Sequence, residues 1–346
     1  MSLTSRCTGC VRGFGAPAAV LVTWCASACA GAPSPFRPAS EPAAQLASLG
    51  WLLTIIAAVV CVIIIVLVLV PALRGWRATR TRELQPLHHG DGERWIVIGG
   101  IAIPVAILLG VFVVTAATLS RTSHPPTRAR FMIQVTGHQW WWEVHYPSPD
   151  PQQNITTANE IHIPIGEPIA LRVDSRDVIH SFWVPQLHGK IDVIPGQTNT
   201  FWFRADSAGV YRGQCAEYCG IQHTNMALQV VAEPRPQFEA WLAQQRRPAA
   251  APTDDLALAG RAAFERQACS LCHAIQGTAA AGKMGPDLTH VASRMMLGAG
   301  TIPNTPGHLA GWIMNSQTIK PGNDMPQMYI DGASLHAIMA YLATLH

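Results

Sequence analysis

Two stretches of this chain are suited to hydrocarbon. Trp51–Val70 reads WLLTIIAAVVCVIIIVLVLV without a charge, and Trp95–Leu119 runs on uncharged for twenty-five residues. A helix rises about 1.5 Å per residue, so roughly twenty residues cross a hydrocarbon core of about 30 Å. Neither stretch shows the amphipathic stripe of a helix half-buried in a soluble core. The two runs explain a composition with 49% hydrophobic and only 13% charged residues in a chain of 346, against roughly 25% charged in an average soluble domain. A net charge of +3 and the lack of a long basic run argue against nucleic acid as a partner. The apolar runs name membrane lipid instead.

Charge sets the orientation. The expected hairpin, residues 46–120 with spans at about 49–72 and 95–119, has a connection carrying Arg74, Arg77, Arg80, Arg82 and Arg94. Such basic loops stay in the cytoplasm, so both termini and everything after Leu119 should be external. Ahead of the first span, Ala18–Ala30 is apolar and rich in small residues, with Arg6 and Arg12 before it. That is the layout of a bacterial secretory signal, assigned to residues 1–29. Cys29 follows Ala-Ser-Ala, the setting of a lipidated cysteine after cleavage, although the usual leucine three residues earlier is absent. The chain is thus expected in a bacterial inner membrane, multi-pass, with its folded domains on the periplasmic face.

The external part changes character twice. Over residues 130–233, runs such as FMIQV, EIHIP, IALRVD, TNTFWF and NMALQVV alternate apolar and polar residues between Pro, Gly and Asp turns, which suggests a β-sandwich or barrel. Residues 234–254 hold a short helical stretch and the Ala/Pro-rich linker RRPAAAPTDD. Residues 255–346 open with LALAGRAAFERQ and close with SLHAIMAYLATL, an all-α pattern around a Gly/Pro-rich middle with a thin core.

Nine cysteines sort by place. Cys7, Cys10 and Cys25 fall in the signal, and Cys61 lies in a span as a small apolar residue. The external four form two pairs, Cys215/Cys219 and Cys269/Cys272, for which a disulfide is the plain alternative in oxidising surroundings. Cys269-Ser-Leu-Cys272-His273 has the spacing of c-type haem attachment. Two thiols add to the vinyl groups of one porphyrin edge, and the adjacent histidine is carried under the iron. A thioredoxin-like redox pair would want a βαβ setting, which this pattern lacks. Together with GPDLT (Gly285–Thr289) and NDMP, CSLCH resembles class I cytochromes c over nearly the whole of this domain. The resemblance implies His273 and Met325 as axial ligands.

Cys215–Met226 reads CAEYCGIQHTNM. Thiolate, imidazole and thioether select copper or zinc, and a weak axial methionine favours copper electron transfer. With His180 of DVIHSFWVP, the donors Cys215, Cys219, His223, Met226 and His180 are one too many for a single His₂Cys(Met) site. They suit two coppers sharing both thiolates, with the Glu217 carbonyl as the remaining axial donor. A structural zinc site is the other metal reading, weakened by the thioether.

CAEYCGIQHTNM, HSFWVP, GHQWWWEVHYP (Gly137–Pro147) and LHGKIDVIPGQTN (Leu187–Asn199) resemble subunit II of haem–copper cytochrome c oxidases, from the first span through a cupredoxin-like domain. The cytochrome c domain behind them matches the bacterial form with its own tethered cytochrome. Quinol-oxidising relatives lose these copper ligands. The resemblance implies a dinuclear copper centre, called CuA, and covalent haem c. It gives Glu217 a magnesium ion through its side chain at the junction with the catalytic subunit. It sets Trp140 between the incoming haem edge and the coppers, Asp177 at a cytochrome-docking position, and Glu93 at a proton entry. In Glu93 the spacing to the following tryptophan is one residue short of the family's, and a plain interfacial charge is the other reading.

The implied function is electron input to a proton-pumping terminal oxidase. An external donor, cytochrome c or a quinol:cytochrome c reductase, reduces haem c. The electron moves to the dicopper centre and on to subunit I, where oxygen becomes water. The linker would hold the haem domain near the copper at an effective concentration of order mM. A nitric-oxide reductase subunit and a copper-binding assembly protein are the alternatives.

Overall fold

The computed structural model describes residues 33–78, 91–125 and 127–346. The expected signal segment with Cys29, and most of the basic connection, lie outside the described residues.

The two apolar runs are helical. Helix α1 is Glu41–Ala78. The second helix is built from α2 (Asp91–Val97), a π-turn at Ile98–Ala102 and α3 (Ile103–Thr122). Pro104 has no N–H to give to the preceding turn, and Gly99-Gly100 lie within that turn, so the widened spacing falls where the ladder is weakest. Glu41–Gly75 and Gly92–Thr122 are long and apolar enough to cross a membrane, and their central apolar side chains are exposed. Glu93 is exposed in α2.

Both outer ends of this helix pair dock on the β-domain. At the start of α1, Ala43 and Ala47 are buried, the Ala39 N–H donates to Gln186 O, and Ser40 Oγ donates to Leu187 O. At the end of α3, the Thr122 carbonyl accepts from Trp202 Nε1 at 2.8 Å.

The β-domain is a sandwich of two five-stranded sheets. Strands β1 (Phe131–His138), β2 (Trp141–Tyr146), β3 (Ile155–Ala158), β5 (Ile169–Ser175) and β8 (Asn199–Phe203) form one in the order β3-β2-β1-β5-β8. Strands β4 (Glu160–Pro164), β6 (His180–Trp183), β7 (Ile191–Val193), β9 (Gly209–Cys215) and β10 (Ala227–Glu233) form the other in the order β4-β10-β9-β6-β7. Ile133, Val135, Trp142, Val144, Leu171, Phe182 and Val230 meet between them. The tryptophans of GHQWWW belong to this packing as much as to the site: Trp142 is a fully buried core residue, and Trp141 stacks on His138.

In EIHIP the alternation does not sort inside from outside, because β4 is buried on both faces. Glu160 and Glu233 clasp His162, each at 3.0 Å, and Trp241 of helix α4 (Arg235–Gln245) stacks on the imidazole. A hydrogen bond at each ring nitrogen makes that burial tolerable.

The C-terminal domain is helical: α5 (Asp255–Arg266), α6 (Cys269–Cys272), α7 (Pro306–Ile319) and α8 (Gly332–Ala343), with a small β11–β12 ribbon at Met296–Leu297 and Ile302–Pro303. Phe264, Ile275, Val291, Ile313, Ile338 and Tyr341 form its core. The linker is more than a tether. His290 contacts the carbonyls of Gln245 and Arg247, and the Ala249 N–H donates to Gln276 O. The helical domain itself meets the sandwich through main-chain bonds such as Ala227 N–H to Ala299 O.

Candidate metal centres

Strand pairing brings the copper-side donors together. Phe182 of β6 lies opposite Cys215 of β9, and the Ala216 N–H donates to Ser181 O, so His180 and Cys215 come together at the end of the same sheet. The Cys215 N–H donates to Met226 O, closing the base of the loop that returns Cys219, His223 and Met226. The sulfurs of Cys215 and Cys219 are 3.8 Å apart and unbonded. Cys215 Sγ lies 3.9 Å from His180 Nδ1 and 3.2 Å from Glu217 O. Cys219 Sγ lies 3.6 Å from His223 Nδ1 and 3.8 Å from Met226 Sδ. His180, Cys215, Cys219 and Met226 are buried, and the Glu217 side chain is exposed.

The surrounding groups fix these donors. His180 Nε2 is 2.8 Å from the Asp177 carboxylate, which leaves Nδ1 facing the sulfurs. Burial alone would lower the His180 pKa, but its bonds to Cys215 and Asp177 outweigh this and raise it. Asp177, expected as a docking charge, also accepts the Gln139 N–H. It is held below the usual carboxylate range, since these bonds outweigh its partial burial. The hydrogen bond shared with Cys219 draws the Cys215 thiol down, while that same bond and burial push Cys219 up. Trp140 is buried and donates from Nε1 to Cys219 O at 2.9 Å, and Gln139 Nε2 donates to the same carbonyl at 2.7 Å. Two glycines make room. A Cβ on Gly137 would sit 2.7 Å from His180 Cδ2, and one on Gly220, where φ is +117°, would sit 2.9 Å from the Trp140 ring. Soft sulfurs, two imidazoles and a carbonyl around one buried point fit copper.

On the haem side, α6 presents Cys269 and Cys272 as free thiols, each partly exposed. His273 Nδ1 is 2.7 Å from Pro286 O within GPDLT, so Nε2 is the nitrogen left for iron. Burial lowers the His273 pKa, which favours the neutral ring that a ligand requires. The Met325 loop is pinned to α7: Ser316 Oγ and Gln317 Nε2 both donate to Met325 O at 2.8 Å, and the Met325 N–H donates to Asn323 Oδ1. Two thiols, a neutral imidazole and a thioether on a restrained loop fit a haem of the c type.

Sequence reasoning missed Gln139, Ser316, Gln317 and Lys320. Gln139 stands inside GHQWWW and Lys320 three residues before NDMP, yet their partners are far along the chain. Lys320 is buried and donates to three carbonyls. Burial lowers its pKa to about 7, whereas three acceptors match an ammonium and exceed the two N–H of a neutral amine.

Comparison with known proteins agrees with this geometry. Residues 149–233 match the family model described as cytochrome c oxidase subunit II, periplasmic domain, and residues 257–346 match that of cytochrome c. Cytochrome c oxidase subunit 2 of Alkalihalophilus pseudofirmus is 36% identical over 262 residues, covering 74% of this chain and 74% of the relative. The chain belongs to the cytochrome c oxidase subunit 2 family. Its namesake from Bacillus sp. strain PS3 is 29% identical over 91% of this chain and 93% of its own length. The crystal structure of the periplasmic domain of subunit II (CoxB) of Bradyrhizobium japonicum is 30% identical, covers 35% of this chain and 96% of that one, and has a TM-score of 0.33. As a subunit 2 with a cytochrome c domain, the chain is a component of a terminal oxidase alongside other subunits, and its domains imply copper and haem.

Proposed function

We propose that this subunit is the electron entrance of a proton-pumping oxidase, passing electrons from a covalent haem c to a dinuclear copper centre and on to the oxygen-reducing subunit. The observation that carries this reading is the cluster of Cys215, Cys219, His180, His223, Met226 and the Glu217 carbonyl, with both sulfurs free and central. When bound, the haem iron and the copper pair each exchange one electron, with no bond made or broken. Cys215 and Cys219 would hold the pair through their sulfurs. His180 and His223 would supply one imidazole each, and Met226 and Glu217 O the remaining weak donors. Asp177 orients His180, and Trp140 and Gln139 hold the Cys219 carbonyl. Cys269 and Cys272 would anchor the porphyrin, and His273 and Met325 would supply the imidazole and thioether that hold its iron. The exposed Glu217 carboxylate is offered to magnesium at the junction with the catalytic subunit.

In this reading the two apolar helices cross the inner membrane as a hairpin, and residues 130–233 and 255–346 are the periplasmic copper and haem domains. Rigid donors lower the reorganisation accompanying each electron, which suits transfer at low driving force. Spectroscopy of the purified full-length subunit tests the proposal. The expected result is two coppers per chain, a mixed-valence EPR signal and a low-spin haem c. A single cupric ion, or a Cys215–Cys219 disulfide in the active protein, would overturn it. Oxygen against nitric-oxide consumption by the intact complex separates the oxidase from a nitric-oxide reductase.

A further inference from the structure

The loop that ends at Met325 begins at Lys320, a residue only 2% exposed, whereas lysine is rarely buried without a charge partner. Its Nζ donates to Trp140 O at 2.6 Å, Asn225 O at 2.7 Å and Gly298 O at 2.9 Å. Every N–H of the ammonium is taken, and each acceptor is a main-chain carbonyl. Two acceptors belong to the copper domain and flank its donors. Trp140 holds the Cys219 carbonyl through its indole, and Asn225 precedes Met226. The third acceptor, Gly298, opens the turn through which the haem domain meets the copper domain: Ala227 N–H donates to Ala299 O, and Arg212 Nη1 to Gly300 O. One residue beyond Lys320, Pro321 O accepts from Gln222 Nε2 at 2.8 Å.

We propose that Lys320 is a positioning residue that latches the haem domain onto the copper loop, so that electrons cross a fixed seam and not a gap searched by a tethered domain. The inference rests on the electron-entry reading above. It follows from where the three bonds end. One side chain ties the segment leading to Met325, the haem-side thioether, to the residue preceding Met226, the copper-side thioether. It also ties both to the main chain of Trp140. Tunnelling rates fall steeply with distance, and a seam fixed by hydrogen bonds to main chain holds that distance with little play. Removing the ammonium leaves three carbonyls without their donor in a buried place, and the seam should open.

The test uses the complete oxidase with its cofactors loaded and follows haem-to-copper electron transfer after flash reduction of the haem. In the wild type the rate should be independent of solvent viscosity. Lys320→Met keeps the unbranched apolar stem and removes the donors. It should slow the transfer at least tenfold and make it fall as viscosity rises, with haem absorbance and the copper near-infrared band unchanged. Amide exchange should rise in peptides spanning 221–229 and 298–301, a readout independent of turnover. A Lys320→Met rate equal to wild type and indifferent to viscosity would sink the latch. So would a wild-type rate that itself scales inversely with viscosity, and that series decides the matter alone if the variant does not accumulate. Absence of any haem-to-copper transfer in the wild type would instead defeat the electron-entry reading.

Discussion

His180 and His273 are both imidazoles with one ring nitrogen engaged by the protein, yet their surroundings differ. His180 is fully buried and backed by the Asp177 carboxylate, while His273 is partly exposed and backed by the Pro286 carbonyl. The same contrast runs through the donors around them. Those on the copper side sit at strand ends in the sandwich core, and Cys215, Cys219 and Met226 are all within 3% of complete burial. Those on the haem side stand on a four-residue helix and on loops, with Leu271 and Met284 beside them largely exposed. A metal ion is small enough to be caged by side chains that a sandwich has already ordered. A porphyrin is as large as a piece of core, so its domain must fold around it.

The most drastic way to break this contrast is Cys219→Ser. It removes one of the two sulfurs proposed to bridge the coppers, and oxidase turnover should fall at least a hundredfold with loss of the mixed-valence signal. The sandwich should keep its far-UV dichroism, because its core owes nothing to the metal. If the sandwich unfolds, the cage is not ordered independently.

Blocking haem attachment probes the other side. Cys269→Ala with Cys272→Ala should lower the melting temperature of the helical domain by more than 10 °C, a loss of roughly 2–3 kcal/mol for a domain of this size. The coppers should remain in place. A helical domain that melts unchanged would mean that its own core suffices.

Asp177→Asn preserves shape and removes the charge behind His180. Loss of such a partner typically costs 10–100-fold in metal affinity, and copper competition titration should show a change of that order. An equivalent change is not expected at the haem, whose porphyrin the proposed thioether links to Cys269 and Cys272 would retain.

The smallest effect concerns the seams of the copper domain. At its membrane end, His188 packs against the Thr122 carbonyl, and burial lowers its pKa to about 4 from 6.5. The unfolded chain therefore takes up the proton first on acidification. Stability present above pH 6.5 is lost as pH falls towards 4, by about 1–2 kcal/mol once part exposure is allowed for. At the other end burial alone would lower His162, but Glu160 and Glu233 raise it. Its contribution is full below pH 6.5 and fades as pH rises through the raised value. Denaturation of His188→Gln at pH 5 and pH 7 measures the acid arm. Equal losses at the two values would contradict the assignment.

Local spacing determined much of this protein without any structure. Two uncharged runs fix the helices, because crossing hydrocarbon is a property of contiguous residues. CSLCH and CAEYCGIQHTNM name their cofactor classes, because their donors lie within one turn or one loop. The alternating runs mark a sandwich, although EIHIP misled: whether a polar face is solvated depends on what covers it, here Trp241 and a carboxylate pair. What only the tertiary structure decided joins residues far apart. The Lys320 bond to Trp140 spans 180 positions and that of Gln222 to Pro321 spans 99. Such pairs leave no periodicity in a sequence, since the chain reverses many times between them and only the packing of whole domains makes them neighbours.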